Sequence, residues 1–193
     1  PAPPPHGDVA ARARWVAASS LWCSIATTSV WLEGRAWGNV RSVADGATHG
    51  EATGLPVLYL PTPDLTAVDV RADPRVTISL SEAALPERVA GGQVCGGADP
   101  EDPTCARLHL RGSLRALDGD EKADAERALG ARHPHAPWLG KGGAHTGGKY
   151  YTIELSSIEF LDFYGGFADL SVDEYLKWTP PAAGAAGAAV AAR

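Results

Sequence analysis

Apolar residues are concentrated in two short runs near the middle of the chain, and each run predicts a β-strand. Val57–Leu60 and Val76–Leu80 are rich in β-branched and other apolar residues, and turn-forming residues bound both of them. The segment between the runs leaves room for one short helix. This part of the chain therefore predicts a compact strand, helix and strand at the centre of a barrel.

The segment between the two strands has the pattern of a short amphipathic helix. Asp64 stands where an N-cap residue is expected, and Pro74 ends the helix because proline cannot continue the hydrogen-bond ladder. Leu65, Val68 and Ala72 are spaced i, i+3 and i+7. This spacing predicts that the three side chains form the buried face.

The rest of the pattern predicts further strands and three helices nearer the surface. The clearest strand is the 106–114 segment, in which polar and apolar residues alternate. The other predicted strands are Leu21–Ser29, Val40–Val43, Lys149–Leu155 and Ile158–Phe163. The predicted helices lie at 8–20, 118–133 and 171–178. Short, irregularly spaced strands with peripheral helices indicate a mainly β fold built on a small antiparallel barrel.

Caps support the three surface helices. Asp8 can cap the first helix. Asp118 with Glu121, and Ser171 with Glu174, have the spacing of a capping box, in which the two side chains bond to each other's backbone.

Length and composition predict one domain. A chain of 193 residues with 45% hydrophobic residues can bury one sizeable core, which we expect to span 8–179. The Pro-rich leader at 1–7 and the Ala/Gly-rich tail at 180–193 are predicted to be disordered. Because the sequence does not begin with Met, we expect either a processed precursor or a trimmed chain, in which any signal peptide would already be missing.

The charge and the apolar pattern of the chain bear on two kinds of partner, nucleic acids and membranes. A net charge of −6, without a cluster of Lys and Arg, argues against a nucleic-acid partner. No apolar stretch has the length needed to span a membrane, so no membrane span is expected.

Two of the three cysteines bracket a polar loop. Cys95 and Cys105 enclose the sequence GGADPEDPT, whose Gly, Asp and Pro residues make it flexible. A disulfide would remove roughly 2–3 kcal/mol of loop entropy from the unfolded chain, and it implies an oxidising compartment. Free thiols or a metal site are the alternatives. Cys23 is predicted to be a small buried residue of a strand.

The segment from His133 to Gly148 holds the other candidate chemistry. Its glycines could cradle a phosphate, but no phosphate-loop motif is present and a plain mobile loop is the simpler interpretation. His133 and His135 could bind a metal or a haem, yet no Asp or Glu lies within HPHAPW to complete a site. Solvated loop histidines are the more common case.

Several motifs together resemble the CREG family. They are LDFYGG at 161–166, DVRADPRVTISLS at 69–81, the Cys95/Cys105 loop leading into RLHLRGSL, and ARHPHAPW at 131–138. The resemblance covers the chain from Ala11 to about Trp178. It implies a secreted or endolysosomal protein with the flavin-reductase-like, FMN-binding split-barrel fold. It further implies a homodimer, and in the wider pyridoxamine-phosphate-oxidase-like superfamily FMN lies at the dimer interface.

The resemblance also indicates that the flavin site has decayed. Where flavin-binding relatives have a His-Thr-Arg-Asn run that meets the phosphate, this chain has the run from Thr66 to Asp69. One short hydroxyl remains there, and Asp69 would repel a phosphate. The residues that could still contact an FMN phosphate are Arg41, Ser42, Thr77, Ser79 and Lys149.

The expected function is that of a non-catalytic binding or modulatory protein without a cofactor. The alternatives are an FMN-dependent oxidoreductase and, more remotely, a haem-binding protein. The single Asn of the chain, Asn39, is followed by Val-Arg, so the sequence contains no N-glycosylation acceptor. We expect a homodimer with an unidentified protein partner.

Overall fold

The computed structural model describes residues 3–46, 52–87, 90, 92–139 and 147–178. Its elements, in chain order, are α1 (Val9–Ser19), β1 (Trp22–Thr28), β2 (Ala36–Ser42), β3 (Ala44–Asp45), β4 (Pro56–Leu60), α2 (Leu65–Ala72), β5 (Arg75–Ser81), β6 (Arg107–Ala116), α3 (Gly119–Arg132), β7 (Lys149–Leu161) and α4 (Val172–Lys177). Two 3-10 turns, Glu82–Ala84 and Val94–Gly97, lie in the long connection between β5 and β6. The tail at 180–193 lies outside the described residues. No helix among those described is both long and apolar enough to cross a membrane.

The seven strands form one antiparallel sheet in the order β2-β1-β5-β6-β7-β4-β3. Only Val43 separates β2 from β3 along the chain, yet the two strands lie at opposite ends of that order. The sheet therefore curls round until its ends meet in one stretch of chain, which confirms the predicted barrel. The β3–β4 ladder has two residue pairs, and within the described residues no ladder joins β2 to β4. The barrel is consequently split between β2 and β4.

The main core lies between α1, α2 and the concave face of the sheet. Trp15 and Val16 of α1 pack in the same cluster as Ile25, Ile78 and Leu110. Full burial of such a side chain stabilises the fold by about 1.5–3 kcal/mol. A second, smaller cluster joins α3 to β3, β4 and β7, and its members are Ala44, Val57, Leu117, Ala125, Ala128, Leu129 and Tyr150.

Helix α2 begins at the predicted cap but buries a different face from the one predicted. Asp64 caps it by accepting the N–H of Thr66. Leu65 and Ala72 are exposed, whereas the buried residues are Thr66, Ala67, Asp69 and Val70. The apolar spacing was misleading because Thr66 and Asp69 have hydrogen-bond partners, which removes the cost of burying their polar groups.

The two C-terminal strands predicted at 149–155 and 158–163 are one continuous strand, β7. The register of its ladder with β6 shifts between Arg111 and Gly112, so that Ser156 is an extra residue on β7. A Cβ at Gly112 would lie 2.0 Å from the carbonyl oxygen of Glu154. The bulge thus requires glycine there, and Ser156 marks a bulge rather than a break between strands.

The starts of β2, α3 and α4 can be compared with those predicted from the sequence. Strand β2 begins at Ala36, earlier than predicted, because it pairs with the whole of β1 in a hairpin. The capping box predicted at Asp118 is wrong: its side chain makes no cap bond, and Glu121 instead pairs with Arg115. The capping box of α4, between Ser171 and Glu174, is confirmed.

The cysteines are arranged as the sequence indicates. Cys95 and Cys105 form a disulfide that closes the loop before β6. Cys23 on β1 is buried and free. Burial raises the pKa of its thiol to about 12, against a smaller opposing effect of the Arg41 charge. Cys23 is therefore a structural residue and not a nucleophile.

Candidate functional site

A cavity of about 400 Å³ opens at the split between β2 and β4. Its lining comes from β2, from the end of β4, from the turn that leads into α2, and from the segment after α3. The lining residues are Val40, Arg41, Ser42, Tyr59, Pro61, Pro63, Asp64 and Trp138. We call this cavity the Arg41 pocket. Its volume lies in the lower part of the roughly 300–1,000 Å³ range of small-molecule sites.

The β1–β2 hairpin and the α2 cap bring the two charged residues of the pocket together. Arg41 lies opposite Cys23 in the hairpin ladder. Asp64 is the N-cap of α2, and its carboxylate binds the guanidinium of Arg41. The two side chains are only 15% and 20% exposed. Among the described residues that line the pocket, the one strong cation thus faces a partly buried counter-charge.

Arg41 makes a second contact that further commits it to the protein. Its Nη2 donates to the hydroxyl of Thr66 at 3.1 Å, and Asn39 Nδ2 donates to the same hydroxyl at 3.2 Å. Thr66 is completely buried. The one hydroxyl that sequence comparison left for a phosphate is therefore occupied by two side chains of this chain.

Asp69 does not face the pocket. Its carboxylate accepts a hydrogen bond from the hydroxyl of Thr27 at 2.7 Å and another from the backbone N–H of Val30 at 2.8 Å. The expected repulsion of phosphate by Asp69 is replaced by a structural role in which α2 holds the β1–β2 turn. The carboxylate that opposes an anion in the pocket is Asp64, which sequence reasoning identified only as a helix cap. The sequence shows the cap position but gives no sign of the contact with Arg41.

Two aromatic residues, Tyr59 and Trp138, also line the pocket. Tyr59 and Trp138 are stacked, with 6.0 Å between ring centroids and 10° between planes. His133 lies next to Trp138, and its Nε2 is 2.9 Å from the carbonyl oxygen of Val43. His133 thereby links α3 to the β2–β3 junction. The described residues contain no cluster of three or more His, Cys, Asp or Glu suited to a metal.

The five residues predicted to meet an FMN phosphate fall in four places. Arg41 and Ser42 share the Arg41 pocket. Thr77 lies on the outer face of the sheet in an open groove with Arg111. Ser79 is also on that face, and its hydroxyl is 2.9 Å from His109 Nδ1. Lys149 lies at a separate small cavity beside Gly148.

The Ser79–His109 pair lies on the outside of the barrel. Burial lowers the pKa of His109, and the charges of Arg107 and Arg111 lower it further. The imidazole is therefore neutral at physiological pH. The sequence showed both residues on their strands, but only the β5–β6 register places them opposite one another.

An FMN phosphate does not fit the residues of the Arg41 pocket. The guanidinium is already paired, the Thr66 hydroxyl is occupied, and Asp64 adds a negative charge where the phosphate would need donors. Of the predicted contacts, only Ser42 is left beside Arg41. The geometry suits a small neutral ligand better than a dianion.

Comparison with solved structures defines the class of this barrel. A structure described as a heme binding protein from Mycobacterium smegmatis is 21% identical and has a TM-score of 0.66, covering 90% of this chain and 61% of that chain. Campylobacter jejuni ChuZ is 12% identical with a TM-score of 0.57, covering 81% and 56%. Identities this low show the fold alone, which is the split barrel.

Within that class, the chain belongs to the CREG family, because the family model described as CREG, beta-barrel matches residues 4–177. Human CREG2 is 31% identical over 183 residues, which make up 93% of this chain and 59% of that protein. Chicken (Gallus gallus) CREG1 is 29% identical over 180 residues, or 92% of this chain and 90% of that protein. The chain thus spans less than two thirds of human CREG2.

Proposed function

We propose that this chain is a non-catalytic binding or modulatory protein of the CREG type, which works as a homodimer and does not use a flavin. The observation that carries the proposal is the Arg41–Asp64 pair, since it neutralises the cation that a flavin phosphate would need. At about 4 Å, a carboxylate opposes each unit of phosphate charge by roughly 1–4 kcal/mol, depending on the local dielectric. Binding of FMN would have to overcome this repulsion or break the pair.

The outer face of the β1–β2 hairpin supports the homodimer. Ser24 is paired with Val40, and Ala26 with Gly38, and all four residues are exposed. We call these four the small-residue face. Val40 is 60% exposed although it is apolar. Because the side chains at these four positions are small, a second barrel can approach them closely, and burial of apolar area would then stabilise the dimer.

The disulfide supports a compartment on the secretory or endolysosomal route. Structural disulfides persist in oxidising environments and are rare in the cytosol. The Cys95–Cys105 bridge closes a loop rich in Gly, Asp and Pro, which has few apolar contacts to order it otherwise.

The second candidate is an FMN-dependent oxidoreductase. Arg41 and Ser42 favour it, because these two predicted phosphate contacts do line one cavity. A haem-binding role is a weaker third candidate, taken from the description of the Mycobacterium smegmatis protein with the same fold.

The test combines calorimetric titration of FMN with light scattering. We expect no detectable heat from FMN, no Soret band after haem addition, and a mass about twice the 20.1 kDa of the chain. FMN binding at micromolar affinity, about −8 kcal/mol, would establish the flavin alternative. A red complex with a Soret band would establish the haem alternative instead.

The dimer has its own matched variants. Val40→Arg places a charge on the small-residue face and should yield a monomer at micromolar concentration. Ala131→Arg, at an exposed position of α3, should leave the mass unchanged. A wild-type monomer, or equal masses for both variants, would contradict the proposed interface.

A further inference from the structure

We propose that the Arg41 pocket binds a neutral pyranose sugar, with Tyr59 and Trp138 packing against its ring and with Arg41, Asp64 and Ser42 bonding its hydroxyls. This inference rests on the proposed function, since it assigns a ligand class to the pocket that FMN does not fit. Three properties of the pocket support it: the balance of its charges, its unpaired hydrogen-bonding atoms and its aromatic side chains.

The charge of the pocket favours a neutral ligand. Among the described residues that line it, the charged ones are Arg41 and Asp64, and they form an ion pair. A phosphate would face the Asp64 carboxylate, and an ammonium group would face the Arg41 guanidinium. Either ion would lose its hydration without gaining an unpaired counter-charge.

Several polar atoms of the pocket have unused hydrogen-bonding capacity. Asp64 Oδ1 accepts from both Arg41 and the N–H of Thr66, while Oδ2 accepts no hydrogen bond from the described residues. Arg41 uses Nη2 for both of its side-chain bonds, and Nη1 donates no hydrogen bond to the described residues. The Ser42 hydroxyl likewise has no hydrogen bond to the described part of the chain. An acceptor and two donors therefore belong to residues that line one small cavity.

Adjacent hydroxyls of a sugar match this set of atoms. A hydroxyl donates one hydrogen bond and accepts others, so one ring hydroxyl can donate to Asp64 Oδ2 while its neighbour accepts from Arg41 Nη1. A purely apolar ligand would leave these atoms desolvated and unpaired, at about 1–3 kcal/mol for each group. The polar side of the pocket thus selects a polyhydroxylated ligand.

The aromatic side chains suit the other side of a pyranose. Tyr59 and Trp138 lie nearly parallel, with 10° between their planes, and Tyr59 receives a hydrogen bond from the N–H of Gly148 at 2.8 Å. Pro61 and Pro63 extend this apolar side. A pyranose ring has C–H groups on its faces, which can pack on such a surface and leave water. The pocket combines both sides within about 400 Å³.

Saturation-transfer NMR tests the sugar directly. The probes are the methyl pyranosides of mannose, glucose and galactose together with N-acetylglucosamine, each at millimolar concentration, with FMN as a separate arm. We expect transfer to at least one pyranoside, and competition experiments should then give its affinity. Trp138→Ala and Asp64→Asn should each weaken that affinity at least tenfold.

Matched controls keep the experiment decisive. Trp31→Ala removes a 67% exposed tryptophan outside the pocket, and Asp73→Asn disrupts another Asp–Arg pair outside it. Both should leave sugar binding unchanged. Asn remains a good helix cap at position 64, so Asp64→Asn remains informative even if Trp138→Ala does not fold.

The outcomes separate this inference from the proposed function. Absence of transfer to every pyranoside, or transfer that survives both pocket variants, overturns the sugar site. If FMN also fails to bind in that case, the sugar site is refuted but the proposed non-flavin function is not. Wild-type binding of FMN that is lost with Arg41→Gln overturns both.

Discussion

The carboxylate of Asp69 accepts a hydrogen bond from the backbone N–H of Val30, with 2.8 Å between Oδ1 and the nitrogen. The same side chain accepts the hydroxyl of Thr27 at 2.7 Å. Asp69 is 1% exposed, and its bond to Thr27 is buried whereas its bond to Val30 is partly buried. They tie helix α2 to the turn between β1 and β2 and thereby fix the hairpin that carries Arg41.

Removal of this carboxylate should destabilise the fold. Asp69→Ala leaves a buried hydroxyl and a partly buried N–H without partners, and we expect the free energy of unfolding to fall by roughly 2–4 kcal/mol. Urea unfolding followed by tryptophan fluorescence measures the change. Asp169→Ala, at an exposed position, is the control and should stay within about 0.5 kcal/mol of wild type. A loss below about 1 kcal/mol for Asp69→Ala would refute the structural role.

Neutralising Asp64 should partly restore anion binding. Asp64→Asn preserves the helix cap but releases the Arg41 guanidinium from its counter-charge. We expect FMN to bind this variant at least about tenfold more tightly than wild type, which corresponds to about 1.4 kcal/mol. Quenching of flavin fluorescence gives the affinity of the variant and, for wild type, an affinity or a lower limit on the Kd, so that the ratio is bounded even if wild-type binding is too weak for calorimetry. Equal affinities would show that the pair is not what excludes the phosphate, and Asp73→Asn serves as the control pair.

The buried pair of Arg12 and Glu82 should show strong coupling. Their Nη2 and Oε2 atoms are 2.7 Å apart, and Arg12 Nε lies 3.4 Å from Asp162. Glu82→Leu leaves Arg12 with the Pro4 carbonyl and a longer contact to Asp162, and we expect a loss of roughly 3–5 kcal/mol. Adding Arg12→Met should recover part of that loss, with a coupling of roughly 1–3 kcal/mol in a denaturant double-mutant cycle. Additive losses would mean that the two groups do not interact in solution.

Asp73 should titrate at unusually low pH. The hydrogen bond from the side chain of Arg75 lowers the pKa of Asp73 from its ordinary 3.8 to about 2. Since the pKa is lower in the folded state, the associated stability is present above about pH 4 and is lost as the pH falls through 2. Carboxyl-carbon NMR measures the midpoint. In Arg75→Ala the midpoint should move most of the way back, because only the backbone bond at 3.1 Å remains. An unchanged midpoint would assign the low pKa to another cause.

Thiol counting should distinguish the three cysteines. The pKa of Cys23 is raised to about 12 and its side chain is buried, so the native protein should not react with an aromatic disulfide reagent at pH 8. Denaturation without reductant should release one thiol, and reduction should release three. A reactive thiol in the native state would contradict either the burial of Cys23 or the Cys95–Cys105 bridge.

The sequence predicts the strands of this barrel better than it predicts what the strands bring together. Apolar runs identified β4 and β5 nearly to the residue, because such runs depend on local composition. The buried face of α2 was mispredicted because Thr66 and Asp69 are buried through bonds to residues far away in the sequence. Similarly, Ser156 was interpreted as part of a break between two strands, because the sequence does not show that it forms a bulge opposite Gly112.

The candidate site shows the same limit. Arg41 and Ser42 were named from their strand and do line one cavity, whereas Thr77, Ser79 and Lys149 lie elsewhere. Side chains on different strands meet only through the strand order and register, which polar residue types alone do not encode. The contact of Asp64 with Arg41 could not be predicted, because the position of Asp64 as a helix cap already accounted for an acidic residue there.

The split between β2 and β4 also bears on aggregation. Unpaired strand edges can recruit strands from other chains. Next to this gap, Pro61 and Pro63 lack the N–H groups that a new strand would need, and the Arg41–Asp64 ion pair would have to be desolvated by an incoming chain. We therefore expect the residues that shape the pocket to disfavour strand addition beyond the end of β4, and variants that remove them should be examined for fibril formation as well as for binding.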